Sequence, residues 1–447
     1  MSRRARVAIV GAGFGGSLIA LIAARLGYDV LLTERGALPR FAIGESATPL
    51  ADLILADLCD RYDLPALRPL CSWGAWIREL PHVGRGPKRG FTYFAHEPGV
   101  QWTDTKDNTR SLLVAASPDA DASDCHWLRA EVDLHFLQQA LAAGVEYRDE
   151  TEVRSRADLG KADLIIDASG RSQALAVALG TRDATDRLRT RTRATWAHFE
   201  GVPPWTDAPS VPFPAEDAAV HHLLDGAWIW SLRFDHGVVS LGLVAPSESP
   251  ERTWQEEVSR FPSLASWLTP ARRITPRTSA ARLQRLVTPA AGPDWAMLPS
   301  AAGFVDPLHS AGIAHTMRGV ERLGRLLEDG LPLGSTALVD YGRTIEQELL
   351  HLDGLVAGCY DRLAARDTAG FFAFTKLYLV AAIISEHRRR ANGSGLEGGF
   401  LLADDEAFVS VLEQARDADA AKVVALLRPL DPIGLCDPKT PNRIPFG

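Results

Sequence analysis

The chain has 447 residues, of which 46% are hydrophobic and 23% are charged. This composition can bury a large core, and the length predicts two or three interlocked domains. The net charge of -8 argues against a nucleic-acid-binding protein, which would normally carry a basic face. The five cysteines are widely spaced and form no CxxC pair, so we expect reduced thiols, a cytoplasmic location and no metal site.

A glycine-rich turn lies close to the start of the chain. The run ARVAIV predicts a buried strand, and GAGFGG, a helical segment and a second strand ending at Glu34 follow it. Gly11, Gly13 and Gly16 form the GxGxxG spacing, which allows a tight turn and a close approach to a pyrophosphate. An acidic residue at the position of Glu34 accepts hydrogen bonds from ribose hydroxyls and repels a 2'-phosphate. The pattern favours a Rossmann-type site for FAD or NAD over an incidental glycine turn.

Five motifs between residue 6 and about residue 330 occur in an order found in one family. They are VAIVGAGFGGS, LLTER, IGESATP, DASGR and GFVDPLHSAGI. The chain resembles the FAD-dependent tryptophan-halogenase-like family of halogenases and related aromatic monooxygenases, including those that hydroxylate peptidyl tryptophan in quinone-cofactor biogenesis. The resemblance implies an α/β fold in which a Rossmann-like FAD-binding domain is interleaved with a β-sheet substrate domain and followed by a helical C-terminal region.

The domain boundaries follow from this resemblance and from changes in periodicity. We expect an FAD-binding domain from residues 1–80, 126–180 and 286–335, and a substrate domain from residues 81–125 and 181–285. Residues 336–447 would form the helical C-terminal region. Its apolar run LYLVAAII is too short to span a bilayer, so no membrane partner is expected.

The resemblance also implies a set of cofactor-binding residues. They are Gly11, Gly13, Phe14, Gly15, Gly16, Glu34, Arg35, Ser46, Ala47, Arg129, Asp306, Gly312 and Ile313. Asp306 would bond the ribityl chain, and the amides near Gly312 would face the flavin at the start of a helix. Two alternatives stay open. Ser46 or Thr48 can instead cap the next helix, and Arg129 can instead pair with Glu131 or Asp133.

Two residues are candidate catalysts. Lys88 matches a family lysine that binds or reacts with hypohalous acid, although its GRGPKRG context also fits a solvated loop. His309 stands where tryptophan halogenases have a glutamate, and a histidine can act as a base near neutral pH. Its alternative is a neutral histidine bonded to a backbone carbonyl. The candidate substrate-lining residues are His96, Trp228, Trp230 and Ser310, while His315 is expected to be structural.

The favoured function is FAD- and oxygen-dependent hydroxylation of an electron-rich aromatic group through a flavin C4a-hydroperoxide. The substrate would be tryptophan-like or indole-like, either a small molecule or a peptidyl tryptophan. The first alternative is halogenation of an indole, pyrrole or phenol by the same flavin, and the second is a non-catalytic flavin-binding protein. Because no second nucleotide-binding fingerprint is present, NAD(P)H would reduce the FAD directly or through a partner flavin reductase.

Overall fold

The computed structural model describes residues 4–205, 209, 211–249, 252–334, 336–393 and 398–446. Within them the strands are β1 (Arg6–Val10), β2 (Asp29–Thr33), β3 (Arg85–Lys88), β4 (Gly90–Ala95), β5 (Ser111–Ala115), β6 (Asp124–Trp127), β7 (Glu146–Arg148), β8 (Leu164–Asp167), β9 (Arg182–Asp183), β10 (Thr192–Glu200), β11 (Ala219–Leu223), β12 (Trp228–Arg233), β13 (Val239–Pro246), β14 (Arg272–Arg273), β15 (Thr278–Ala280), β16 (Arg285–Thr288), β17 (Ala291–Gly292), β18 (Trp295–Met297), β19 (Gly303–Phe304) and β20 (Arg443–Ile444). The helices are α1 (Phe14–Arg25), α2 (Pro49–Tyr62), α3 (Trp73–Glu79), α4 (Arg129–Ala142), α5 (Trp254–Ser259), α6 (Pro262–Trp267), α7 (Pro299–Ala302), α8 (Ala311–Glu328), α9 (Ala337–Ala364), α10 (Thr368–Asn392), α11 (Glu406–Ala415) and α12 (Ala420–Leu427).

A parallel sheet carries the glycine-rich turn. Its strand order is β17-β18-β8-β1-β2-β7, and every pairing except β17 with β18 is parallel. The apolar run of β1 is almost entirely buried, as expected for a parallel strand covered on both faces. At the end of β1, Gly11 adopts a φ of +102°, and a Cβ added to Gly16 would lie 1.9 Å from the Gly11 carbonyl oxygen. Only glycines allow α1 to pack this closely on the turn.

A second, larger sheet forms the part of the chain predicted to be the substrate domain. It contains nine strands in the order β14-β10-β13-β12-β11-β4-β5-β20, with β15 paired to β10. One face joins the main hydrophobic core, and the other packs on α5 and α6 in a second core that includes Trp205 and Phe261. The expected α/β architecture, with its parallel sheet and helical C-terminal region, is confirmed.

Helix α10 extends well beyond the apolar run noted in the C-terminal region. The LYLVAAII run is part of a 25-residue helix that is long and apolar enough to cross a membrane by length and composition, with a mean hydropathy of 1.6 in its most apolar window. However, 67% of that window is buried inside the protein, as in the core helix of a globular fold. The run alone was too short a segment to judge, because the helix extends beyond it in both directions.

A buried cluster of charges joins α8 to α9. The Glu348 carboxylate accepts hydrogen bonds from His315 Nε2 at 3.0 Å, from both terminal nitrogens of Arg322 at 2.6 and 2.8 Å, and from the Phe400 amide at 2.6 Å. The His315 ring also stacks on Phe400, with 4.7 Å between the ring centres. His315 is therefore a structural residue in this fold, as its position inside the helix predicted.

The last residues of the chain return to the second sheet. We call residues 431–446 the C-terminal tail. Its strand β20 pairs in parallel with β5, and the Arg443 guanidinium bonds Asp104 and Ser111. The side chains of Asn108 and Asn442 each donate to a carbonyl of the other segment at 2.9 Å. These contacts fix the tail up to Ile444.

Candidate functional site

The start of α1 forms one half of the expected dinucleotide cradle. Helix α1 begins after Gly13 without a side-chain cap, and the amide of Phe14 donates to Asp133 at 3.2 Å. The Ala12 amide donates to the carboxylate of Glu34 at 3.0 Å, so Glu34 lies directly beside the glycine turn. An uncapped helix start with an acidic residue at the end of the neighbouring strand is the arrangement that binds a pyrophosphate and a ribose.

Glu34 and Arg35 differ in burial and in their ion-pair partners. Glu34 is buried and forms an ion pair with Arg40 at 3.2 Å. The side chain of Arg35 is exposed beside it. Both remain proposed cofactor contacts, with Glu34 placed in the cradle and Arg35 at its edge.

Arg129 forms an ion pair with Asp133, which is the alternative to cofactor binding that the sequence left open. Its guanidinium forms two hydrogen bonds to the buried Asp133 carboxylate, at 2.8 and 3.0 Å, and donates to the carbonyls of Ile43 and Gly44 at 3.0 Å. The guanidinium also lies 4.8 Å from the centre of the Phe14 ring. Arg129 therefore ties the IGESATP loop to the starts of α1 and α4, and any contact with a cofactor would come in addition to these bonds.

The IGESATP loop runs from the cradle to Lys88. The Ser46 hydroxyl is buried without a hydrogen-bond partner among the described residues, which leaves it available to a ligand. The carbonyl of Ala47 accepts a hydrogen bond from Lys88 Nζ. Thr48 caps α2 by accepting the Ala51 amide at 3.4 Å, so the capping role expected of Ser46 or Thr48 falls to Thr48.

The start of α8 forms the other half of the cradle. Ser310 precedes the helix with a φ of +57°, and no side chain caps the first turn, which contains Gly312 and Ile313. A Cβ added to Gly15 would lie 2.7 Å from the side chain of Thr316, so the first turn of α1 packs against the second turn of α8. Two uncapped helix starts converge here, and their partial positive charges suit an anionic ligand.

Asp306 lies in a buried hydrogen-bond network. It accepts from the Thr192 hydroxyl at 2.7 Å, from the Tyr360 hydroxyl at 3.0 and 3.1 Å and from the Leu308 amide at 3.1 Å. Burial raises the pKa of its carboxyl to about 7. Tyr360 in turn accepts from Trp228 Nε1 at 2.8 Å. These protein donors occupy Asp306, so the expected bond to a ribityl chain stays a prediction.

Lys88 is completely buried, which removes the solvated-loop alternative. Its ammonium donates to Ala47, lies 3.5 Å from the Asp124 carboxylate and sits 4.2 Å from the centre of the Phe91 ring. Burial lowers the pKa of Lys88, although Asp124 and Asp52 oppose this by favouring the charged form. Burial also raises the pKa of Asp124, to about 6. Lys88, Asp124 and Asp52 therefore form a buried cluster in which the ionisation of each side chain depends on the others.

A cavity of about 70 Å³ lies next to this group. Its lining residues come from α2, β4, β5, α10 and the C-terminal tail, and they include Thr48, Phe91, Tyr378, Glu386, Arg390 and Phe446. Burial and the nearby Asp124 raise the pKa of Glu386 to about 8. Glu386 was not among the residues predicted from the sequence. The feature that could have identified it is a single carboxyl on the apolar face of α10, the face that also carries Leu379 and Ile383.

His309 does not reach this cavity. Its ring stacks on Tyr378, with 4.3 Å between the ring centres, and its two nitrogens lie 3.5 Å from the Tyr93 hydroxyl and the Cys359 sulfur. Burial lowers the pKa of His309 to about 3, so the ring is neutral at physiological pH. The second candidate catalyst, His309, therefore does not line the cavity beside Lys88, because Tyr378 lies between His309 and the cavity.

His96 also lies elsewhere. Residues alternate between the two faces of β4, so Phe91 and Tyr93 face the main core while His96, just after the strand, faces the second core. There His96 Nε2 lies 3.0 Å from His222 Nδ1, against the Trp205 ring. The structure does not bring His96 to the Lys88 cavity.

The two tryptophans of β12 share one face, as their spacing predicted. The rings of Trp228 and Trp230 lie 6.0 Å apart, and both belong to the main core with Leu232. Trp230 Nε1 donates to the Ser240 hydroxyl at 3.1 Å. They form an aromatic layer next to the Asp306 network, and neither lines the cavity beside Lys88.

The parallel sheet, the glycine turn and the paired helix starts define a Rossmann-type dinucleotide-binding protein with a second, substrate-side sheet. Residues 141–380 match the family model described as tryptophan halogenase. This match covers more than half of the chain, and the chain belongs to the tryptophan halogenase family.

Curated relatives and solved structures agree with this assignment. Monodechloroaminopyrrolnitrin halogenase of Pseudomonas fluorescens is 28% identical over 95% of this chain and 82% of its own length. The tetracycline 7-halogenase of Kitasatospora aureofaciens is 27% identical over 77% of this chain and 67% of its own length. The halogenase PltM in complex with phloroglucinol and FAD superimposes with a TM-score of 0.86 at 22% identity, covering 99% of this chain and 100% of that one. The last likeness shows a shared fold.

Proposed function

We propose that this protein is an FAD-dependent halogenase that acts on an electron-rich aromatic small molecule such as a phenol or pyrrole. The observation that carries the proposal is the buried ammonium of Lys88 beside a small cavity that contains Glu386. Family membership and the halogenase relatives support this reaction over the hydroxylation favoured by the sequence. The main argument for hydroxylation was His309 as a base, and its burial behind Tyr378 removes that argument.

The residues of the cradle fit FAD. The uncapped starts of α1 and α8 would hold the pyrophosphate and the flavin edge, and Glu34 would hold the ribose. When bound, reduced FAD would activate oxygen, the oxidant that converts a halide to the hypohalous acid used in halogenation. We infer that a partner flavin reductase or NAD(P)H provides the electrons.

Lys88 would hold the halogenating agent. An ammonium is a compact hydrogen-bond donor, and in a buried site it binds the oxygen of hypohalous acid more strongly than it would in water. The ammonium contacts the Phe91 ring, which lines the cavity, and the Ala47 carbonyl of the IGESATP loop, so an agent held by Lys88 would lie next to the cavity.

Glu386 would accept the proton that the aromatic ring or its hydroxyl releases. A carboxyl with a pKa of about 8 is mostly neutral at pH 7 and becomes a base as the pH rises. We therefore expect kcat to rise with pH through about 8 and to lose this rise in Glu386→Gln. Steady-state measurements of kcat between about pH 6 and 9 test this role of Glu386. A pH profile that is the same in the parent protein and in Glu386→Gln would contradict it.

The reaction itself is tested by product mass. The FAD-loaded protein is incubated with a flavin reductase, NADH, bromide or chloride and a set of phenols, pyrroles and indoles. A product that has gained a halogen supports the proposal. A product that has gained oxygen, in the presence of halide, would overturn it in favour of hydroxylation.

The close approach of α1 to the glycine turn makes FAD binding sensitive to one methyl group. Gly16→Ala places a Cβ against the backbone oxygen of Gly11, so the turn must open. We expect bound FAD to fall below detection by absorbance, with stability reduced by roughly 1–3 kcal/mol or more. Gly334→Ala is the control, because a Cβ there meets no atom within 4 Å. Full FAD occupancy in Gly16→Ala would be inconsistent with the proposed cradle.

A further inference from the structure

The cavity beside Lys88 is too small for an aromatic ring in the conformation described above. Its volume is about 70 Å³, whereas a cavity of about 150 Å³ accommodates benzene. One wall must therefore move before a substrate of the proposed class can enter.

Most of the walls are parts of the packed core. Tyr378 and Leu379 belong to the buried stretch of α10, and Phe91 and Val114 lie on neighbouring strands of the second sheet. Displacing any of these elements would break strand pairing or core packing.

Three lining side chains are exposed instead: His387 and Arg390 on α10, and Phe446 in the C-terminal tail. Of these three, Phe446 is the apolar one, and the tail also contributes Ile433 to the lining. The last fixed residue of the tail is Ile444, which is buried in β20, and Phe446 follows two residues later with 48% of its surface exposed. A side chain just beyond the last strand pairing can rotate outward without disturbing the anchor formed by Arg443.

The charges at this end of the cavity fit a polar aromatic ligand. Arg390 and His387 line the cavity and are exposed, while the ionisable Glu386 lies further in, near Asp124 and Lys88. A ring with one acidic hydroxyl or N–H would pass the basic groups and present its proton to Glu386.

We propose that Phe446 is the gate of this cavity and determines the size of the aromatic substrate. In the closed position it covers the cavity, and by rotating outward it admits a single-ring phenol or pyrrole while still excluding fused rings. The inference rests on the proposed function, since it assigns the substrate entrance of that same site.

The test compares phenol with naphthol in Phe446→Ala, Phe446→Trp and the parent protein, all loaded with FAD. We expect Phe446→Ala to raise kcat/KM for naphthol relative to phenol by about tenfold or more, as expected for a change of pocket size. Phe446→Trp should lower kcat/KM for phenol by a similar factor. The control is Val177→Ala, which removes an exposed apolar side chain that does not line the cavity and should change neither ratio.

Binding measured by calorimetry separates this inference from the proposed function. If phenol binds and is halogenated but the ratio of naphthol to phenol is the same in all variants, the gate is refuted and the halogenase proposal stands. If neither aromatic binds or reacts with any variant, both are refuted. A chain that ends at Ile444 should reproduce Phe446→Ala, and failure to do so would also contradict the gate.

Discussion

Lys88→Met is expected to lower halogenation by at least about a thousandfold while FAD remains bound, since buried electrostatic groups at reaction centres contribute on this scale. The methionine keeps most of the side-chain volume but removes the only cation that lies within 4 Å of Asp124 among the described residues. Product formation with a saturating flavin reductase gives the loss of activity, and flavin absorbance after gel filtration gives the occupancy.

In Lys88→Met, a loss of activity caused by lower stability must be distinguished from a loss of the catalytic role of Lys88. Removing the ammonium leaves the Asp124 carboxyl buried and unpaired, which costs about 3–5 kcal/mol if it stays ionised. The double variant Lys88→Met with Asp124→Asn removes both charges and should recover most of the stability but none of the activity. Lys161→Met, at an exposed position, is the control for a general effect of the substitution. Activity above a tenth of the parent value in Lys88→Met would exclude the proposed role.

Glu348→Gln is expected to lower the stability by about 3–5 kcal/mol, because it leaves the Arg322 guanidinium without its ionised partner. The carboxylate bonds Arg322, His315 and the Phe400 amide, and Arg322 is the largest of the influences that hold its pKa well below the usual range. A depressed pKa in the folded state means that this stability is present above the unfolded pKa of about 4.3 and is lost as the pH falls below it.

Urea unfolding at about pH 7 and pH 4 measures the loss of stability in Glu348→Gln and its dependence on pH. Glu97→Gln is the matched control, since Glu97 pairs with Arg110 at 3.8 Å but is 65% exposed, and such a pair contributes little. We expect the control to stay within about 0.5 kcal/mol of the parent protein. An equally small effect in Glu348→Gln would show that the cluster does not stabilise α8 and α9.

The local features of the cradle were predictable from the sequence. The spacing of Gly11, Gly13 and Gly16 and the position of Glu34 depend only on neighbours in the chain, and the structure places them together at the end of β1 and β2. Lys88 was predicted to point from a strand end into a cavity; it lies at the end of β3 against Phe91, which lines the cavity, but Lys88 is not itself among the lining residues. For the other cofactor residues the contact with FAD remains a prediction.

The catalytic side was less predictable because it is assembled from distant segments. Glu386 comes near Asp124 and Lys88 only through the packing of α10 against α2, and nothing near residue 386 in the sequence identifies that neighbourhood. His309 was proposed as a base because it stands where the family has a glutamate, but the structure buries its ring against Tyr378. Phe446 lies more than 300 residues from Phe91, yet both line one cavity.

The cavity is divided between a core helix and residues beyond strand β20, and this division has a consequence for how the protein can diverge. Tyr378 and Leu379 belong to both the cavity and the core, so a change there alters the proposed substrate range only at the expense of folding. Phe446 lines the cavity beyond the β20 pairing and is half exposed, so it contributes less to the core. With the proposed gate, new substrates can therefore be explored by varying Phe446, with little loss of stability at each step.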